Sequence, residues 1–183
     1  MAATLKLNAQ LCSHAYNEAV EKIARLAAYA TSRSLKIIGF GEYFSIAEEL
    51  AQKDLIILSI STRRLAEMTK SQSALKSKQV RSAYKDASGK HQSRQENCWD
   101  IIGNILHGVE ILIYKDVGKY VETDIMKIVE NTDEIDAAIA IKSDKFSQKV
   151  FRLTDFLKCL NEYLDDANDI LAQNKIFVGS LYK

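Results

Sequence analysis

The stretch from Cys98 to Tyr114, Cys-Trp-Asp-Ile-Ile-Gly-Asn-Ile-Leu-His-Gly-Val-Glu-Ile-Leu-Ile-Tyr, changes its side-chain period partway along. Before Gly108, Trp99, Ile102, Ile105 and Leu106 recur at the spacing of one helical face. After it, Val109, Ile111 and Ile113 alternate with Glu110, Leu112 and Tyr114, which is the period of a strand. A chain with such a switch must pack helices against a sheet. The spacing predicts a helix from about Gln92 to His107, then a strand turning at Lys115–Gly118. Gly103, in mid-helix, suggests close packing against another backbone.

The 183 residues suffice for one domain, and the complete absence of proline favours long uninterrupted helices. Leu11, Ala15, Ala19, Val20, Ile23, Leu26, Ala27 and Ala30 mark a helix from about Asn8 to Ser32, with Asn8 as its N-cap. Around Gly39-Phe-Gly41 the pattern breaks, and Phe40, Tyr43 and Phe44 are expected to plug one end of the core. Ser45 and Glu48 have capping-box spacing for a second helix reaching about Lys70. Its expected buried side carries Ile46, Leu50, Ile57, Leu58, Leu65 and Met68, widened by Leu55, Ile56 and Ile60.

Beyond Tyr114, Lys119–Val121 can pair back briefly, and Ile125, Ile128 and Val129 suggest a short helix over Thr123–Asn131. Ile135, Ala137, Ile139 and Ile141 alternate, as do Phe151 and Leu153, with Ser143–Ser147 as a hairpin loop. Thr154 is placed to cap a last helix with Phe156, Leu157, Leu160, Leu164, Ala167 and Leu171 inward. Glu162, Asp165, Asp166 and Asp169 give that helix an acidic outer face. The expected fold is α+β: three to four long helices, with a small antiparallel three- to four-stranded sheet inserted over residues 109–153 before the last long helix. The apolar tail, Lys175–Lys183, should dock on the body or meet another subunit.

Net charge is +1, so the whole-molecule field favours neither nucleic acid nor membrane. Locally the picture differs. Residues 70–95 hold seven cations, Lys70, Lys76, Lys78, Arg81, Lys85, Lys90 and Arg94, against the single acid Asp86. They read as a basic, partly mobile loop suited to phosphates or an acidic partner, for which the acidic face of the last helix is one counterpart. Arg63 and Arg64, beside a long apolar run, must reach solvent, a carboxylate or a phosphate. Asp100, Asn104 and His107 fall on one polar stripe and are the candidates for acid–base chemistry.

No metal site is expected. His14 has no second ligand at helical spacing, and no Cys/His cluster occurs. Cys12, Cys98 and Cys159 lie far apart in an odd-numbered set, which suggests three separate buried thiols in a reducing, cytoplasmic setting. The first twenty residues lack an apolar segment, so no signal peptide is expected, and no apolar run approaches a membrane span.

Two segments, Ser59-Ile-Ser-Thr-Arg-Arg-Leu-Ala-Glu67 and Trp99-Asp-Ile-Ile-Gly-Asn-Ile-Leu-His107, resemble core helices of the HEPN-type helical superfamily. The resemblance covers about thirty residues and implies a helical core that often dimerises. Active members cut RNA with an arginine shortly before a histidine. His107 matches the histidine by context, but Ile101, Ile102 and Gly103 occupy the arginine's place and Arg94 lies too far upstream.

The residues together predict a non-catalytic, homo-oligomeric interaction module that needs no cofactor. The alternatives are nucleic-acid or phosphate binding through Arg63, Arg64, Lys76, Lys78, Arg81 and Lys85, or RNA cutting with His107.

Overall fold

The computed structural model describes residues 8–32, 39–85, 88–115, 137–143 and 146–178. Among the described residues, five helices and a five-stranded antiparallel sheet form an α+β fold with a helical core. Helix α1 spans Ala9–Thr31, α2 Phe44–Thr69, α3 Gln72–Ser77, α4 Cys98–His107 and α5 Leu153–Gln173. Strands β1 (Gln79–Lys85), β2 (His91–Asn97), β3 (Glu110–Lys115), β4 (Ala137–Ser143) and β5 (Phe146–Arg152) lie in the order β2-β1-β5-β4-β3.

Residues 70–95 are therefore not a loop. They supply α3 and a β1–β2 hairpin that pairs through β1 with β5, which brings the sheet to five strands. The hairpin escapes a pattern search because its core-side positions are mostly polar. Val80, Ser82 and Tyr84 lie opposite Glu96, Arg94 and Gln92.

Asn8 caps α1 as expected, its Oδ1 accepting from the Leu11 N–H at 3.1 Å. The other two expected caps are not used. A 3-10 turn over Gly41–Tyr43 leads directly into α2, and the Phe44 N–H bonds the Gly41 carbonyl, so Ser45 lies inside the helix. Helix α5 begins at Leu153, with Arg152 at the cap position. The α4 helix starts at Cys98 rather than Gln92, since the preceding residues are committed to β2.

Both α2 and α5 end on a lysine in the left-handed region, Lys70 (φ 56°) and Lys175 (φ 58°). In each case the next residue's N–H reaches back along the last turn, Ser71 to the Ala66 carbonyl and Ile176 to the Leu171 carbonyl, both at 2.9 Å. The second of these docks the start of the tail. Ile176 is buried and Val178 packs on the core, while Phe177 is 85% exposed.

One sheet face, with Val80, Ile113, Ile139, Ile141 and Phe151, joins the helical core. The other carries a smaller cluster of Ala83, Ala138, Ala140 and Val150, with Leu112 and Tyr114 packed against it. The alternation read for β3 thus separates two apolar faces. Polar ties complete the packing. The buried Lys115 at the end of β3 donates to the Tyr29 carbonyl and to Ser32 Oγ (2.7 Å), a cation at the C-terminus of α1 where the helix dipole favours it. Tyr163 of α5 shares a hydrogen bond with Ser71 at 2.9 Å, and burial pushes its hydroxyl pKa up to about 12. Lys119–Val121, Thr123–Asn131, Ile135 and residues 179–183 lie outside the described residues, as does the Lys115–Gly118 turn beyond its first residue.

Gly103 is not at a close approach, since a Cβ there meets nothing within 4 Å. The tight place is Gly108, where a Cβ would lie 2.9 Å from the Asn104 carbonyl oxygen and 3.0 Å from Ile141 Cγ2. Urea unfolding separates the two. Gly108→Ala should lose about 1–3 kcal/mol to overpacking, whereas Gly103→Ala should gain roughly 0.5–1 kcal/mol from helix propensity.

Candidate functional site

Helix α2 carries two faces. The buried one consists of Phe44, Ala51, Leu55, Leu58, Leu65 and Ala66, with Asp54, Ser59, Ser61, Thr62 and Thr69 among them. Several of these polar groups turn toward α1. Asp54 accepts from Arg25 Nε at 2.9 Å and lies 3.3 Å from Lys22 Nζ, and Ser61 donates to Glu18. A hydrogen bond to Glu21, aided by Asp54, raises the Lys22 pKa. Small residues, Ala15 and Ala19, line the buried side of α1 along this contact. Alanine lets the two backbones approach, so short polar side chains of α2 reach α1.

A second set of large apolar side chains on α2 and the turn before it points outward. Ile46 and Leu50 are exposed rather than buried, and Phe40 and Tyr43 stand half in solvent while only Phe44 enters the core. Ile57 and Met68 are half-buried. Among the described residues nine large apolar side chains are exposed, and six of them, Phe40, Tyr43, Ile46, Leu50, Ile56 and Ile60, fall within residues 40–60 at 36–53% exposure. Tyr43, Ile46, Leu50, Lys53, Ile57, Ile60 and Arg64 recur by alternate threes and fours, the spacing of a helix–helix seam. This outward stripe is the candidate site. Its residues were legible in the sequence, but which way they faced was not.

The expected cationic site is only partly assembled. Arg63 and Lys76 converge on Trp99, the guanidinium carbon 4.8 Å and the ammonium 5.8 Å from the ring centroid, and Arg63 Nε also donates to Glu67 at 3.1 Å. Lys78 turns instead to the acidic face of α5, 3.0 Å from Asp166 and 3.7 Å from Glu162, and the hydrogen bond to Asp166 raises its pKa. Arg81 is exposed on the sheet face opposite the helical core, and Arg64 is exposed on α2. The Lys85 side chain lies outside what is described.

The acid–base stripe on α4 does not close into a site. Asp100 is held by the cap: its N–H donates to Asn97 Oδ1 at 2.9 Å, and its carboxylate accepts from Asn97 Nδ2 at 2.8 Å. His107 is exposed at the helix end. No hydrogen bond joins it to Asn104 or Asp100 among the described residues. No three His, Cys, Asp or Glu side chains among them gather as a metal site, and no helix is long and apolar enough to cross a membrane. Comparison with family models, with curated proteins and with solved structures finds no match to this chain.

One polar group escaped sequence reasoning. Glu96 is buried on the core-side face of the hairpin, 2.8 Å from the buried Lys149 of β5 and paired with Arg94. Its signal was an acid closing an otherwise basic stretch. Glu96→Ala would remove a charge-assisted hydrogen bond from the buried Lys149 ammonium. It should cost about 1.5–3 kcal/mol in urea unfolding, more than the same change at the exposed Glu162.

Proposed function

We propose that this chain is a non-catalytic interaction module that self-associates through the outward stripe of α2. The observation that carries the reading is the concentration of exposed Tyr43, Ile46, Leu50, Ile56 and Ile60 on one helix and the turn that opens it, since monomers rarely leave so much contiguous apolar surface in water. The occupant we favour is a second copy, because the helix is complementary to itself when reversed. Reversed about position 55, the stripe lies on itself, with Leu50 opposite Ile60 of the second copy and Ile46 opposite its Arg64, the antiparallel pairing of a helix–helix seam.

Light scattering after size exclusion at micromolar concentration should give a dimer mass, and Leu50→Glu with Ile60→Glu should give a monomer with an unchanged circular-dichroism spectrum. A wild-type monomer throughout overturns the reading.

A second reading is favoured by Arg63 and Lys76 bracketing Trp99, cations beside an aromatic face as in single-strand nucleic-acid sites. Filter retention of short RNA and DNA across a salt series tests it. Arg63→Gln with Lys76→Gln should flatten the log–log salt slope by about one for each phosphate no longer neutralised. Absent or salt-independent retention ends it.

A further inference from the structure

Cys98 and Cys159 are distant in sequence but meet in the fold. Cys98 opens α4, and its backbone N–H donates to the Lys78 carbonyl at 2.9 Å. Cys159 comes from α5, and its thiol donates to the next carbonyl, that of Gln79, at 3.3 Å. Both cysteines are thus anchored at the base of the β1–β2 hairpin, where Gln79 lies opposite Asn97. The helices that carry them are in contact, and the two thiols interact closely enough for each to shift the other's pKa. Cys98 is fully buried and Cys159 only partly, so a small oxidant reaches the pair from the Cys159 side.

We propose that Cys98 and Cys159 are an oxidation-responsive dithiol that closes to an intramolecular disulfide on exposure to a peroxide. The division of labour follows from the contact. Its interaction with Cys98 holds the Cys159 thiol below the ordinary thiol range, while that same interaction, with burial, pushes Cys98 up. Thiolate character and access both select Cys159 as the first sulfur to react. Its sulfur attacks one peroxide oxygen; an S–O bond forms, the O–O bond breaks, and the departing hydroxide leaves as water with the thiol's proton. The Cys98 sulfur then attacks the sulfenic acid at Cys159. The S–S bond forms, the S–O bond breaks, and hydroxide leaves with the Cys98 proton as a second water. The two thiols lose two electrons, and one hydrogen peroxide becomes two waters. A dithiol reductant reverses the step.

The product staples the start of α4 to α5, elements already in contact. It should therefore raise the thermal midpoint without changing the far-ultraviolet spectrum. Cys12 lies on α1, and neither thiol of the pair bonds it, which leaves it as an internal control.

The test uses the wild-type chain treated with equimolar hydrogen peroxide, quenched with alkylating agent under denaturing conditions and mapped by mass spectrometry without reduction. The expected result is a monomer lighter by two hydrogens, a linked peptide containing Cys98 and Cys159, an alkylated Cys12, and full reversal by dithiothreitol. In Cys98→Ser the oxidation should stop at a sulfenic acid on residue 159 that dimedone traps. Sulfinic acid at Cys159 with Cys98 still free, a disulfide between two chains, a bridge to Cys12, or no reaction would each overturn the proposal.

Discussion

At Gly108 the chain leaves a helix and enters a sheet with room for a hydrogen atom and nothing larger. The constraint comes from both sides. The Asn104 carbonyl belongs to the last turn of α4, and Ile141 belongs to β4, so the missing Cβ lets helix and sheet share one corner. The ladder starts at once, with the Val109 N–H donating to the Lys142 carbonyl at 2.9 Å. From that corner the register runs on to Lys115 opposite Ala137. It sets Ile113 toward the helices and carries Lys115 to the end of α1. A slip of one residue would send every β3 side chain to the wrong face.

How much of this was legible depends on whether burial coincided with apolar residues. In β3, β4 and α5 it did. Ile113, Ile139 and the Phe156–Leu171 series announce both the element and its inner face. In the hairpin it did not. Ser82 is buried, Glu96 is buried with Lys149, and Tyr84 carries the Arg94 guanidinium 5.1 Å from its ring, so the core-side face reads as a charged loop. Backbone ladders and paired charges hold β1 and β2 where apolar alternation normally does, and neither leaves a periodic trace in a single sequence. The Cys98–Cys159 contact was hidden for a related reason. It depends on β1 reaching β5, a pairing between segments that are remote along the chain.

Helix α2 shows the same inversion most plainly, and it bears on the candidate surface. Both sides of α2 carry large apolar residues, whose burial is worth roughly 25 cal/mol for each Å² of apolar surface removed from water. The inward side combines Leu55, Leu58 and Leu65 with Ala51, Asp54, Ser61 and Thr62, and the outward side carries Ile46, Leu50 and Ile60. The reason for this orientation lies in α1, whose buried positions are Cys12, Ala15, Ala19, Lys22, Leu26 and Ala30. Its small residues and its lysine match a partner of small residues and a carboxylate. Rotating α2 to bury Ile46, Leu50 and Ile60 would separate Asp54 from Lys22 and Arg25, and Ser61 from Glu18. It would leave the buried Asp54 carboxylate without its cations, and taking the partner from a buried charge costs about 3–5 kcal/mol. The side of α2 that faces outward is therefore set in part by the polar contacts to α1 on its inner side, which no apolar pattern in the helix itself records.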